Sequence, residues 1–212
     1  MITFKGAKPW QVVQDEDLIN EDKFPLVHHF DKELVSLIKP NMETGPWIAG
    51  GAVLSWYNNE PIGAGDLDVW FNSNIQREAV IDRLKRDGFN KVGNTSKAMS
   101  FSKYKSGYDH AKLVQLIQLN FFNSPEEVLN DFDFTVSQLV TDGATLKMGE
   151  HTARDIKARV LRMHNIKFNR NYIDRVIKYQ TYGYTPLPET MQYIIDNRET
   201  LSWDFKKEGN GY

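Results

Sequence analysis

Between Trp47 and Phe71 runs WIAGGAVLSWYNNEPIGAGDLDVWF, an apolar stretch interrupted by paired glycines and paired aspartates. It reads as a strand at residues 47–49, a turn at Gly50-Gly51, a short helix over 52–58, a loop with Gly63 and Gly65, and a second strand carrying Asp66-Leu67-Asp68. Residues i and i+2 of a strand share a face, so Asp66 and Asp68 lie side by side while Leu67 and Val69 point into a core. Two adjacent carboxylates repel each other unless a cation sits between them. A ligand set of oxygen alone favours Mg²⁺ or Mn²⁺.

The rest of the chain narrows the setting. At 212 residues it is long enough for one large or two small domains. A formal net charge of −2 gives no global attraction for nucleic acid, so any such surface is local. The absence of cysteine excludes disulfides and thiolate metal sites. No apolar run approaches the roughly 18 residues that span a bilayer, and the opening MITFKGAKPWQ lacks a signal-peptide core. The expectation is a soluble cytoplasmic protein with no membrane partner.

Before the central stretch, an acidic lead (Asp15, Glu16, Asp17, Glu21, Asp22) precedes Phe30, Leu34, Leu37 and Ile38, which have the spacing of one helix face, ended by Pro40. His28, His29 and Asp31 read as surface residues, because adjacent side chains diverge from one backbone. After it, residues 74–88 read as a helix closed by Gly88. Residues 97–104 and 112–122 form two extended segments around a turn at Gly107 and suggest an antiparallel hairpin. Ser124-Pro125 starts another helix, with Glu126 and Glu127 in its first turn. Asp131-Phe132-Asp133-Phe134-Thr135 follows, then an expected strand over 136–140. Between residues 154 and 178 basic residues far outnumber Asp155 and Asp174. Helices are expected over 153–164 and 169–182, the second closed by Gly183, then a last helix over 189–197 and a frayed tail from Lys206.

The order strand, Gly-Gly, helix, Asp-x-Asp and then Asp133-Phe134-Thr135 resembles the nucleotidyltransferase fold of the DNA polymerase beta superfamily. Within it, the likeness is to the head domain of tRNA CCA-adding enzymes and bacterial poly(A) polymerases. GGAVLSWYNNEPIGAGDLDVWF is similar to the family's nucleotide-holding signature, and NDFDFTVSQLVTDG to its second motif. The resemblance implies an α+β fold, a mixed or antiparallel sheet flanked by helices over residues 1–150, with a basic helical extension, 151–212, packed on it. It implies Mg²⁺- or Mn²⁺-dependent transfer of a nucleoside monophosphate from an NTP to an acceptor hydroxyl, most plausibly on RNA such as a tRNA 3′ end. Asp66 and Asp68 then serve as metal ligands and catalytic residues, with Asp133 as a further catalytic residue.

Glycine at 50 and 51 lets backbone approach phosphate closely, and Ser55 lies one turn into the following helix. Lys97, Lys112, Arg159 and Arg162 are expected to bind the nucleotide, and Lys103, Arg175 and Lys178 are further candidates for phosphate or RNA contacts. The chain departs from the family at Asp131 and Phe132, where the family has two arginines, and at Ser137 and Gln138, where it has Asn-Ala. Some superfamily members carry a third carboxylate on the strand that here offers Gln115, Gln118 and Asn120. Either two aspartates suffice, or Asp131 or Asp133 serves as well. A catalytically degenerate module binding RNA or a protein, or a toxin-like enzyme with another acceptor, is the alternative. Compact versions of the fold occur in bacteriophages and toxin systems, which points to a phage-type member working in host cytoplasm.

Overall fold

The computed structural model describes residues 10–14, 32–58, 66–103, 112–165 and 172–197. The acidic lead, His28, His29 and Asp31, the loop of Gly63 and Gly65, the turn at Gly107 and the tail from Lys206 lie outside the described residues. Eight strands make one sheet: β1 (Trp10–Gln14), β2 (Trp47–Ala49), β3 (Leu67–Trp70), β4 (Asn90–Asn94), β5 (Ala98–Lys103), β6 (Lys112–Ile117), β7 (Leu139–Thr141) and β8 (Thr145–Gly149). Their spatial order is β1-β8-β7-β2-β3-β6-β5-β4. Among the described residues only the β3–β6 contact within this sheet is parallel and the others are antiparallel, so the α+β class with a mixed sheet is what the chain adopts.

Alternation along the central strands supplies two cores. Ile48, Leu67, Val69, Val114 and Leu116 enter one, and Trp47, Ala49, Trp70, Ile117 and Val140 enter the other. The first core is covered by α1 (Lys32–Ile38), α2 (Gly51–Tyr57) and α3 (Asn74–Arg86). The second is covered by α4 (Pro125–Asn130) through Val128 and Leu129. Ser73 and Ser124 cap α3 and α4 by accepting from the amides of Gln76 and Glu127. At its other end α3 turns Arg83 onto the carbonyls of Leu37 (2.5 Å) and Ile38 (3.1 Å), closing the C-terminus of α1.

Past β8 the chain departs from expectation. The helix expected over 153–164 is only α5 (Thr152–Lys157), because Arg159 adopts a left-handed conformation (φ 53°) and turns the chain into β9 (Val160–Leu161). β9 pairs in parallel with β10 (Thr185–Pro186), which lies between α6 (Tyr172–Thr181) and α7 (Pro188–Asp196). The strand expected over 136–140 is displaced: Thr135–Ser137 is a 3-10 turn and the strand is β7. Ile156, Leu161, Tyr172, Val176 and Tyr179 share the first core, with the Phe134 ring tilted on Tyr172 at 5.1 Å and edge-on to Tyr179 at 5.4 Å. No helix among the described residues is long and apolar enough to cross a membrane.

Candidate active site

The chain turns from β2 into α2 at Gly50, whose φ of 86° is open to glycine and strained for other residues. A methyl group there would sit 3.2 Å from the Phe132 ring and 3.8 Å from an Asp68 carboxylate oxygen, so this backbone approaches the aspartate closely. Gly51, by contrast, is exposed, and a methyl group on it would meet nothing within 4 Å. The turn opens onto a cleft of about 350 Å³. Gly51 and Ser55 of α2, the carboxylates of Asp66 and Asp68, Gln115 of β6, and Arg175 and Lys178 of α6 line it.

Asp66 immediately precedes β3 and Asp68 lies within it. Asp68 pairs in register with Gln115, whose side-chain amide donates to Asp66. Strand pairing therefore places an amide at the β6 position beside the two carboxylates. Burial pushes Asp68 up to about 7; the charge of Asp66 adds to this, and Lys178 and Arg175 oppose it. Burial also raises Asp66, against the pull of Lys178. Arg175 and Lys178 thus line the same cleft as the carboxylates and act on them, and a triphosphate is the kind of anion such cations accommodate.

Asp133 is buried and forms an ion pair with Arg175 at 2.6 Å. Burial raises its pKa, opposed first by Arg175 and then by Lys97. Asp133 does not line the cleft; it holds a terminal guanidinium nitrogen of the arginine that does. The neighbouring Thr135 donates to Asp155 (2.8 Å), which is 1% exposed and also receives Arg162 Nε (2.9 Å) and Arg154 Nε (3.3 Å). Arg162 reaches on to Glu189 at 3.2 Å, so it ties elements together away from the cleft. Arg159 lies over the Tyr184 ring at 5.2 Å, and Lys97 is exposed in the β4–β5 turn. The backbone of Lys112 pairs with Lys103 in the hairpin, while its side chain lies outside what is described. Lys103 is bound to Asp87 (2.6 Å) and Glu33 (3.5 Å).

The structure therefore gathers Gly51, Ser55, Asp66 and Asp68 with Arg175 and Lys178; Arg162 is not in the lining, and Arg159 borders it through Tyr182 and Tyr184. Ser137, which the resemblance marks, also lines the cleft, as do Tyr179, Tyr182, Tyr184 and Asn58, which sequence reasoning missed as site residues. The signal was there: positions 175, 178, 179 and 182 have the i, i+3, i+4, i+7 spacing of one helix face. Ser137, at the position where the resemblance expects asparagine, bonds the hydroxyl of Tyr179, and Gln138 donates to the carbonyl of Leu129 at 3.0 Å.

Among the described residues no group of three His, Cys, Asp or Glu is placed to hold a metal. The acidic donors are the pair Asp66 and Asp68, hard oxygen ligands whose mutual repulsion a divalent cation relieves, and that chemistry fits Mg²⁺ with its remaining positions left to phosphate and water.

Comparison with known proteins places this geometry in context. The profile of a family described as Gabija anti-defense 2 family protein matches residues 19–159. A protein of Bacillus phage SPbetaL7 named Gabija anti-defense 2 is 28% identical over 183 residues, 85% of this chain and 40% of its own length. Among solved structures, a CCA-adding enzyme in complex with ATP is similar with a TM-score of 0.60 and 16% identity, over 89% of this chain and 46% of that one. The Thermotoga maritima CCA-adding enzyme complexed with tRNA has a TM-score of 0.57 and 18% identity, over 89% and 46%. The chain thus has the fold of nucleotidyltransferase head domains and spans under half the length of these relatives.

Proposed function

The chain belongs to the Gabija anti-defense 2 family, and from that premise and the cleft we propose that it is a Mg²⁺-dependent nucleotidyltransferase serving phage counter-defence in the host cytoplasm. The reaction joins the α-phosphorus of an NTP to an acceptor hydroxyl oxygen, with pyrophosphate leaving and the hydroxyl proton released. One observation carries the reading: Asp66 and Asp68 line one cleft with Arg175, Lys178 and Gly51, and the neighbouring Gly50 backbone closely approaches Asp68.

Asp66 and Asp68 would hold the metal, whose charge would neutralise phosphate oxygens and lower the pKa of the attacking hydroxyl. Arg175 and Lys178 bind the phosphate chain, and the ion pair with Asp133 fixes the direction of Arg175. Gly51 leaves room for phosphate against the backbone, and Ser55 supplies a hydroxyl on the same helix. The relative solved with tRNA supports RNA as the acceptor class.

The test incubates purified protein with Mg²⁺, α-labelled NTPs and total RNA. Labelled RNA and released pyrophosphate are expected from the wild type, and a loss of at least a thousandfold from the double variant Asp66→Ala with Asp68→Ala. Equal labelling by both proteins overturns the reading. A second reading, nucleotide binding without transfer, draws on Gln115, which sets an amide beside Asp68 and bonds Asp66. It predicts metal-dependent NTP binding with no pyrophosphate released.

A further inference from the structure

Part of the cleft lining is made of uncharged side chains. This part comprises Leu54, Asn58, Tyr182 and Tyr184, with Lys178 at its border and the Arg159 guanidinium beside it, 5.2 Å from the Tyr184 ring and donating to the Tyr182 carbonyl at 3.4 Å. Its shape follows from how α6 stops. Gly183 adopts φ 82° and donates to the carbonyl of Gln180 (2.9 Å), and Tyr184 donates to that of Tyr179 (3.0 Å). This paired closure with a left-handed glycine swings Tyr182 and Tyr184 to either side of the turn and packs Tyr184 back on Tyr179. Tyr179 meets Tyr182 edge-on at 6.2 Å and 89°, and Tyr184 at 5.9 Å and 87°. Tyr179 is itself held by Ser137, and the Tyr184 hydroxyl accepts from Asn58 Nδ2 at 3.2 Å, which ties the wall to the end of α2.

Tyr184 is buried, but Tyr182 is 51% exposed while lining the cleft. The Lys178 ammonium lies 5.9 Å from the centre of the Tyr182 ring and also acts on both Asp66 and Asp68. One lysine therefore borders both the carboxylates and an exposed, pre-ordered aromatic ring. We infer that Tyr182 is the stacking platform for the nucleobase of the bound NTP, and that this chain selects among bases weakly. The inference rests on the nucleotide reading above and adds the base subsite to it. Stacking on a tyrosine accepts any base, because every base has a π-face. Strict selection needs directed hydrogen bonds, and among the described residues beside these tyrosines the amide is Asn58, whose Nδ2 already donates to Tyr184. Purines, with their larger rings, are favoured over pyrimidines by a few-fold.

Calorimetry with Mg²⁺ and three ligands tests this: a non-hydrolysable ATP analogue, its CTP counterpart and inorganic tripolyphosphate. Tyr182→Ala is expected to weaken both nucleotides by about 5- to 150-fold, the range that loss of a base–aromatic stack produces. Tripolyphosphate affinity stays within twofold, and Tyr182→Phe, which keeps the ring, stays within twofold for all three. The inference is overturned if Tyr182→Ala leaves nucleotide affinity unchanged, if it weakens tripolyphosphate in parallel, or if the wild type prefers one base a hundredfold or more. If the wild type binds tripolyphosphate and nucleotide equally well, the base platform alone falls. If it binds neither, the cleft is not a nucleotide site and the proposed function falls first.

Discussion

Asp68 keeps its proton in the folded chain up to about pH 7, whereas the unfolded chain releases it near the ordinary value of 3.8. Between those values the folded state binds more protons, so this contribution to metal-free stability is fully present below 3.8 and is lost as pH rises through 7. The loss is on the order of 2–4 kcal/mol. Urea denaturation in EDTA at pH 5 and pH 8 should show the wild type weakening with pH and Asp68→Asn weakening distinctly less. Asp66 and Asp133 are raised too, so some slope persists in the variant. An identical loss in both proteins contradicts the account. The aspartate pair was legible because a two-residue period places it without any tertiary information. The partner of Arg175 was not, since the contact with Asp133 crosses from one element to another that sequence spacing does not relate.

At the scale of elements, the β2–α2 turn separates what the fold requires from what a ligand requires. Gly50 is constrained by its φ of 86° and by Phe132, while Gly51 has open space around it and opens α2. Gly51→Ala should therefore leave the free protein as stable or stabilise it by up to about 1 kcal/mol. The added methyl group stands in the cleft, so Mg²⁺-dependent NTP affinity should fall at least tenfold. Thermal denaturation and calorimetry on the same sample check both halves, and unchanged affinity counts against phosphate at this turn. Apolar alternation and caps revealed β2, β3, α3 and α4. They failed over α5 and β9, where apolar residues at helical spacing continue past a left-handed Arg159 that nothing local announces. They also missed β4, whose residues are mostly exposed and show no buried face.

For the molecule as a whole, the basic segment is part of the architecture. Tyr172, Val176 and Tyr179 sit in the same core as Phe134 and Ile48, and Asp155 clamps Thr135 to Arg162, which reaches Glu189 of α7. Asp155→Ala leaves the Arg162 guanidinium and Thr135 hydroxyl without their buried acceptor and should cost about 3–5 kcal/mol. Because α6 carries Arg175 and Lys178, the same change should weaken NTP binding at a distance from the cleft. Unfolding should remain a single transition by tryptophan fluorescence and far-ultraviolet circular dichroism; two separate transitions contradict a shared core.

The basic excess was legible as composition, but which cations face the carboxylates was settled by how α6 packs. That packing and the aspartate pair meet in the central claim, a metal-bound triphosphate between Asp66, Asp68 and α6. Crystals grown with Mn²⁺ and a non-hydrolysable NTP test it most directly, by the anomalous signal of the metal. The account predicts a manganese peak on the carboxylates of Asp66 and Asp68, with the phosphates against Arg175 and Lys178. Manganese and nucleotide bound elsewhere, with this cleft holding only water, would contradict it.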